Sequence, residues 1–206
     1  MARKTKEEAL ETRDGILDAA EQLFQRKGVS RTSLADIAAA AGVTRGAIYW
    51  HFENKGDLFN AMVERVVAPL EARSLELEQE EMNDPIEFLR TLLLDGTKRI
   101  ASDPHFHRVF EIVWHKCEYV DEMAEARDKH MEAGCRHVET MERAMVKAQE
   151  RGQLPPKLLP KQAAIGLMAL LDGLIVNWTM NPQMFPLDEY APWVIDAYLD
   201  GLKQDC

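Results

Sequence analysis

Residues 42–55 read GVTRGAIYWHFENK and combine a glycine, a hydroxyl group, an arginine, a histidine and a lysine with two adjacent aromatic side chains. Polar groups of these kinds are the ones that contact phosphate. The whole chain nevertheless has a formal net charge of -10 at pH 7. Residues 1–55 contain nine Lys and Arg against eight Asp and Glu, whereas residues 56–206 contain 16 against 27. The N-terminal quarter can therefore approach a polyanion that the remainder would repel.

Sequence of helical character surrounds this stretch. Apolar residues recur at three- and four-residue spacings between Lys6 and Lys27, and Gly28 follows where a helix would end. Ser33, Thr44 and Asn54 are each predicted to cap the helix that follows them. The quoted stretch then contains a two-turn helix, placed between a short helix before it and a long one after it.

The remainder of the chain repeats the same signals. Asp84-Pro85 and Asp103-Pro104 are typical of helix starts, and a long polar helix is predicted from about residue 121 to 151. The segment 161–178 is apolar on most sides, which predicts a helix that is buried on most sides. A last helix is predicted over about 189–203. The sequence therefore predicts an all-α protein of about nine helices without strands, with a helix-turn-helix DNA-binding domain at 1–55 and a second domain at 56–206.

In a helix-turn-helix unit the second short helix enters the major groove of DNA. Thr44 would cap that helix and leave its hydroxyl near a phosphate, and Arg45 would donate to the edge of a guanine. Trp50 either packs inside the protein or flanks the DNA backbone, and packing is the favoured expectation. The candidate DNA-binding residues are Arg31, Thr32, Ser33, Thr44, Arg45, Gly46, Tyr49, His51 and Lys55.

Composition argues against several other classes. The N-terminus lacks an apolar signal segment. The sequence contains no run of about 18 uncharged apolar residues, so a membrane span is not predicted and we expect a cytoplasmic protein. The three cysteines do not form a disulfide pattern. The histidines at 105, 107, 115 and 137 do not complete a zinc-ligand set with Cys117, so neither a metal nor another cofactor is predicted. A competing hypothesis is a small helical enzyme that uses His115 as a base beside the Cys117 thiol.

The first ~55 residues resemble the DNA-binding domain of the TetR family of bacterial transcription regulators. The resemblance is carried by DGILDAAEQLFQRKGVSRTSLADIAAAAGVTRGAIYWHFENKGDLF, and RKTKEEA, HKCEY and DGLI are similar to the AcrR branch, which represses multidrug efflux pumps. The resemblance implies a homodimer on a palindromic operator, released by small hydrophobic ligands of cationic or aromatic type. An activator or global regulator of the same fold stays open as an alternative, because the sign of control depends on where the operator lies.

The resemblance also implies roles for the domain at 56–206, which would bind the ligand and dimerise. The pocket candidates are Leu92, Leu93, Phe110, Val113, Trp114, His137, Met141, Met168, Leu171, Asp172 and Ile175. The dimer-interface candidates are Leu174, Trp178, Trp193, Tyr198 and Leu202.

Overall fold

The computed structural model describes residues 6–80 and 84–204. Within these ranges the chain forms nine α-helices, one π-helix and one 3-10 turn, and it has no strand. The α-helices are α1 (Lys6–Lys27), α2 (Leu34–Ala40), α3 (Arg45–His51), α4 (Lys55–Glu80), α5 (Pro85–Ser102), α6 (Pro104–Glu111), α7 (Ala124–Glu150), α8 (Pro160–Met180) and α9 (Leu187–Leu202). The predicted all-α fold of about nine helices is confirmed.

Tertiary contacts divide the chain into two compact units. The first contains the chain up to Val67 together with Arg108–His130, and the second contains Ala68–His107 together with the chain from Met131 onward. The N-terminal unit thus includes the start of α4 and all of the π-helix, which sequence had assigned to the C-terminal domain. The functional boundary between residues 55 and 56 stays a prediction.

The helix ends of the first unit agree with the cap signals. Gly28, directly after α1, has a φ of 83°, a left-handed conformation that glycine adopts without steric cost. The side chain of Asn54 accepts a hydrogen bond of 2.8 Å from the backbone N–H of Asp57, in the first turn of α4. The predicted caps at Ser33 and Thr44 are also present. These local signals therefore set the end of α1 and the starts of α2, α3 and α4.

A buried carboxylate joins three helices of the first unit. Glu21 of α1 is 3% exposed at its side chain, and its Oε1 accepts a 2.6 Å hydrogen bond from Nε of Arg108 in α6. Its Oε2 lies 3.3 Å from Nη2 of Arg65 in α4. The apolar face of α1 is buried around this carboxylate, and Phe24 lies 6.3 Å from Phe59 between ring centroids. Two arginines therefore compensate a charge that α1 carries into the interior.

The second unit is held together by specific contacts between α5, α8 and α9. Arg90 of α5 binds Asp196 of α9 through two parallel hydrogen bonds of 2.7 and 3.0 Å. The hydroxyl of Tyr198 in α9 donates to the backbone carbonyl of Ala163 in α8 at 2.8 Å. Gly166 lies directly under that hydroxyl, which leaves no room for a Cβ atom. The two helices therefore approach closely where α8 carries a small residue.

α8 differs from its prediction. We expected it to be buried on most sides, but Ile165 is 50% exposed and Met180 is 70% exposed. By length and composition α8 could also cross a membrane, although the core helix of a soluble protein passes the same test. Its opposite side, including Ala163, Leu167 and Ile175, is buried. α8 therefore has apolar residues on two sides. The rest of the chain buries one of these sides and leaves the other exposed.

Candidate nucleic-acid interface and ligand residues

The start of α2 is closed by a reciprocal cap. The Ser33 hydroxyl accepts from the backbone N–H of Asp36 at 3.1 Å, and the Asp36 carboxylate accepts from the backbone N–H of Ser33 at 3.0 Å. The Ser33 hydroxyl also donates to that carboxylate at 2.7 Å. These hydrogen bonds, first the side-chain and then the backbone one, lower the pKa of Asp36. The cap makes α2 a defined support for the helix that follows.

The turn between α2 and α3 fixes the start of α3. Gly42 has a φ of 68°, and the Thr44 side chain accepts from the backbone N–H of Ala47 at 3.2 Å. Ile48 is buried and anchors the inner side of α3. Phe52, the C-cap, is also buried, and the guanidinium carbon of Arg13 lies 5.2 Å from its ring centroid. The inner side of α3 is therefore fixed, which determines which side chains face outward.

The outward side of α3 consists of Arg45, Gly46, Tyr49 and Trp50, and we call these four residues the reading face. All four are exposed. A Cβ atom at Gly46 would meet no atom nearer than 3.9 Å within the chain, so packing inside the protein does not require a glycine there. An arginine can donate to base edges in the groove, a glycine allows the helix backbone to approach closely, and two aromatic side chains can contact the sugar-phosphate backbone.

Trp50 is a residue whose predicted role is wrong. It was expected to pack inside, but it is 73% exposed and contacts only the edge of the neighbouring His51 ring among the aromatic pairs described, at 4.6 Å between centroids. The pattern of buried positions on α3 could have identified it, because Trp50 follows the buried Ile48 by two residues and so points away from it. Trp50 therefore joins the candidate DNA-binding residues.

Two other candidates have internal roles. Lys55 is only 6% exposed, and its Nζ donates to the carbonyls of Val29 at 3.0 Å and Thr32 at 3.1 Å and pairs with the Glu122 carboxylate. Thr32 is buried, and its hydroxyl donates to the carbonyl of Gly28 at 2.8 Å. Neither side chain is therefore placed to contact a phosphate, which corrects the expectation for both. Arg31 remains exposed, and His51 is partly exposed.

The pocket candidates do not all lie in one unit. Phe110, Val113 and Trp114 belong to the first unit, where Trp114 packs on His130 at 5.5 Å between ring centroids. In the second unit, the side chains of Leu93, Met141 and Ile175 are buried. Leu92, His137, Met168, Leu171 and Asp172 are partly exposed. The second unit also contains a groove of about 700 Å³, but it is lined by other residues, including Leu94, Lys98 and Trp178.

Asp172 is a polar pocket candidate whose pKa is shifted by its surroundings. Burial raises its pKa from 3.8 to about 6. The folded state thus binds the proton more tightly than the unfolded chain, so this group favours folding below about pH 4 and loses that contribution as the pH rises to about 6. At neutral pH an ionised carboxylate in this position lowers the stability of the fold.

Replacing Asp172 by Asn should therefore stabilise the protein at neutral pH. We expect the thermal midpoint to rise by about 2–5 °C at pH 7.5, because a shift of about two pKa units sets an upper bound near 3 kcal/mol and partial exposure reduces it. The gain should shrink as the pH is lowered to 4.5. Differential scanning calorimetry at both pH values checks this, with the exposed Asp188→Asn as the control. An equal gain at the two pH values would contradict the assignment.

The dimer-interface candidates also differ in their surroundings. Trp193 is 73% exposed, and Leu174 and Leu202 are partly exposed. Tyr198 is tied to α8 by its hydroxyl, as described above. Trp178 is buried within its own unit, where its ring lies 4.7 Å from that of His107, so it is not available to a second chain. Ile165 and Met180 are exposed apolar residues that sequence reasoning missed, because α8 was predicted to be covered.

The hypothesis of a thiol enzyme is not favoured by the structure. Burial raises the pKa of the Cys117 thiol to about 11, so almost none of it is thiolate at neutral pH. Among the described residues, no three His, Cys, Asp or Glu side chains are grouped so as to hold a metal ion.

The sequence and the fold match known proteins over almost the whole chain. Residues 16–62 match the family described as "Bacterial regulatory proteins, tetR family", and residues 84–204 match "MAATS-type transcriptional repressor, C-terminal region". The chain is 42% identical over 204 residues to the HTH-type transcriptional regulator TtgR of Pseudomonas putida, a match that covers 98% of this chain and 97% of TtgR.

Solved structures of two related repressors illustrate the shared fold. NalD, the secondary repressor of the MexAB-OprM multidrug efflux pump in Pseudomonas aeruginosa, superposes with a TM-score of 0.89 at 37% identity, covering 98% of this chain and 100% of NalD. SmeT, the repressor of the Stenotrophomonas maltophilia pump SmeDEF, superposes in its triclosan complex with a TM-score of 0.84 at 31% identity, covering 95% of this chain and 93% of SmeT.

Proposed function

Because the chain belongs to the TetR family of bacterial transcription regulators, we propose that it is a cytoplasmic repressor of a multidrug efflux operon, released from its operator by small hydrophobic ligands. The observation that carries this proposal is the reading face. Its four residues are exposed on α3, while Ile48 on the opposite side of the helix is buried. The related repressors NalD and SmeT, each named for control of an efflux pump, support repression rather than activation. Transcription control, not catalysis, is the activity of the family.

The DNA interaction follows from the reading face. Arg45 donates to a guanine edge in the groove. Tyr49 and Trp50 contact the sugar-phosphate backbone beside that groove. Thr44 is exposed at the start of α3, and Arg31 is exposed before α2, where the Ser33 hydroxyl already donates to the Asp36 carboxylate and so has no donor left for a phosphate. These residues offer contacts on both sides of one groove.

One chain offers few such contacts, so a palindromic operator needs two chains. We propose that exposed residues of α8 and α9 form the dimer interface, with Trp193 and Ile165 as its apolar anchors. Along α9, exposed residues recur at 190, 193, 197 and 201, a spacing that forms one stripe of the helix. Two reading helices held together bind adjacent major grooves with an affinity that neither has alone.

The ligand is proposed to bind among the second-unit candidates, which are apolar apart from His137 and Asp172 and include two methionines that adapt to different shapes. Asp172 gives this set an anionic group at neutral pH, which suits hydrophobic cations. SmeT in complex with triclosan supports aromatic phenols as a second ligand type to test. His137 would be a polar partner for such a hydroxyl.

We propose that ligand binding acts through α4. This helix has 26 residues, a length of about 39 Å, and supplies residues to both units. Pro69 lies inside α4, two residues beyond the last residue of the first unit, where a proline removes one backbone hydrogen bond and favours a bend. A ligand that binds the bent and straight forms with different affinities would shift the spacing of the two reading helices.

Fluorescence anisotropy with labelled DNA from upstream of the chain's own gene tests the proposal. We expect sequence-dependent binding to this DNA over a scrambled duplex, at two salt concentrations, and release by triclosan or tetraphenylphosphonium. Equal, salt-sensitive binding to both duplexes would contradict operator recognition. Binding that neither compound changes would contradict the ligand part alone.

Arg45→Ala should lower operator affinity by about 10- to 100-fold, because each lost contact to a base edge is worth about 1–3 kcal/mol. Binding to scrambled DNA should change much less. Lys157→Ala, at an exposed position between α7 and α8, removes the same charge and serves as the control in the same anisotropy assay. An identical operator affinity for the two variants would disprove the role of Arg45.

A further inference from the structure

A short segment of the first unit contacts the helix-turn-helix at both ends of that motif, just before α2 and just after α3. This segment consists of the π-helix Ile112–Lys116, the residues 117–120 and the 3-10 turn Asp121–Met123, and we call residues 112–123 the strap. π-helices are rare and are frequent at functional positions. Sequence reasoning assigned Val113 and Trp114 to a ligand pocket and His115 and Cys117 to a possible enzyme, but nothing so far explains the contacts of the strap with the helix-turn-helix.

The first end lies just before α2. The carbonyl oxygen of Lys116 in the strap accepts a 2.9 Å hydrogen bond from the backbone N–H of Val29. Val29 is buried and belongs to the turn between α1 and α2. The Ser30 hydroxyl lies 3.5 Å from the Glu118 carboxylate, a long contact between exposed groups. The backbone bond therefore holds the turn that leads into the Ser33 cap.

The second end is the start of α4, directly after α3. Glu122 of the strap pairs with the buried ammonium of Lys55, and its backbone carbonyl lies close to Gly56, where an added Cβ would be 3.2 Å from that oxygen. Tyr119 also contacts α4, with its ring edge-on to Phe59 at 6.2 Å between centroids. The strap thus contacts the chain on both sides of residues 33–54.

Lys55 links these two ends. An ammonium group has three N–H donors, and here the carbonyls of Val29 and Thr32 and the Glu122 carboxylate supply three acceptors. Two of those acceptors precede α2, whereas Lys55 itself begins α4. The ammonium therefore fixes the distance between the residues before α2 and the residues after α3. Among the ion pairs of the described residues, Glu122 is the carboxylate that compensates the charge of this ammonium.

We propose that Glu122 is a positioning residue for operator binding: through Lys55 it sets the placement of the reading face, so that the conformation of the strap controls operator affinity. The inference rests on the proposed function. The Lys55 ammonium is buried and the Glu122 carboxylate would repel phosphate, so we expect neither group to contact DNA. Their loss should therefore change the affinity for the operator without changing the number of phosphate contacts.

The variants Glu122→Ala and Glu118→Ala provide a matched test in the full chain. Both remove one carboxylate from exposed positions of the strap, so their general effect on DNA attraction is equal, but only Glu122 pairs with Lys55. Relative to Glu118→Ala, we expect Glu122→Ala to bind the operator about tenfold more weakly and scrambled DNA equally well, since a buried charge loses its partner. Glu122→Gln, which keeps an acceptor oxygen, should recover part of the loss. Equal operator affinity of the two alanine variants would overturn the proposal.

The salt dependence separates positioning from a phosphate contact at Lys55. If Lys55 only positions the reading face, Lys55→Met weakens operator binding but leaves the slope of log affinity against log salt unchanged. If its ammonium bound a phosphate, the slope would fall by about one for each chain, and the proposal would be wrong.

Hydrogen-deuterium exchange distinguishes failure of this inference from failure of the proposed function. If the wild-type chain shows no sequence preference for any DNA, operator binding itself is disproved. Exchange at residues 29–33 of the DNA-free protein then still tests the strap. Faster exchange in Glu122→Ala than in Glu118→Ala supports the link through Lys55, and equal exchange overturns it.

Discussion

Replacing Glu21 by Ala is expected to lower the free energy of unfolding of the first unit by about 3 kcal/mol, because two arginines would face each other without the charge between them. Arg108 and Arg65 each bind one oxygen of this carboxylate, at 2.6 and 3.3 Å. Both arginines keep some access to water, which reduces the effect below that of a fully buried pair. For a chain of 206 residues that unfolds cooperatively, at about 2–4 °C per kcal/mol, the thermal midpoint should fall by about 6–12 °C.

Asp18→Asn is the matched control for this change. Asp18 also pairs with Arg65, at 2.8 Å, but its side chain is largely exposed. Exposed ion pairs contribute about 0–1 kcal/mol, so the control should shift the midpoint by less than about 3 °C. Thermal unfolding followed by circular dichroism compares the two variants. Similar midpoints would mean that the buried position of Glu21 adds nothing, contrary to the expectation.

Replacing Trp193 by Glu should abolish the dimer at micromolar concentration and lower operator affinity at least about 100-fold. A glutamate would place two like charges in an apolar contact, and each chain would then bind its half-site without the high local concentration that its partner provides. Because Trp193 is largely exposed in the single chain, the fold of that chain should persist. Sedimentation velocity gives the mass, and anisotropy gives the affinity.

Met131→Glu provides the comparison for the interface. Met131 is an exposed apolar residue of α7 and receives the same charge. It should leave both the mass and the operator affinity unchanged. A dimeric Trp193→Glu variant would place the interface elsewhere, and a monomer with unchanged operator affinity would show that dimerisation does not support DNA binding.

The elements set by local signals were predictable. Ser33, Thr44 and Asn54 cap their helices because a side-chain oxygen needs only the N–H groups two or three residues ahead. Gly28 ends α1 for an equally local reason. These four residues set most of the boundaries of the helix-turn-helix, so its position in the chain could be predicted from sequence alone.

The failures at Trp50 and Thr32 are local, because the burial pattern of α3 and the carbonyl of Gly28 four residues earlier decide them, whereas the other failures involve partners that are distant in sequence. Lys55 looks like a surface cation at a helix start, and only the fold brings Val29 and Glu122 to its ammonium. α8 looks like a core helix because its composition does not say how many of its sides one chain covers. The π-helix has no local signal either, since its residues 112–116 continue the helical pattern of α6.

The length of α3 limits how many base pairs it can read and therefore how often a matching sequence occurs by chance. Seven residues span about 10 Å, which is about three base pairs along the duplex axis. On the proposed palindromic operator, two chains would read about six base pairs directly, and a given six-base-pair sequence recurs by chance about once in 4,000 positions. A genome with at least about a million positions therefore contains hundreds of accidental matches. The remaining information must come from the DNA between and beside the half-sites, through the energy needed to bend or twist it to fit. Operator mutations at base pairs that no side chain touches should thus weaken regulation.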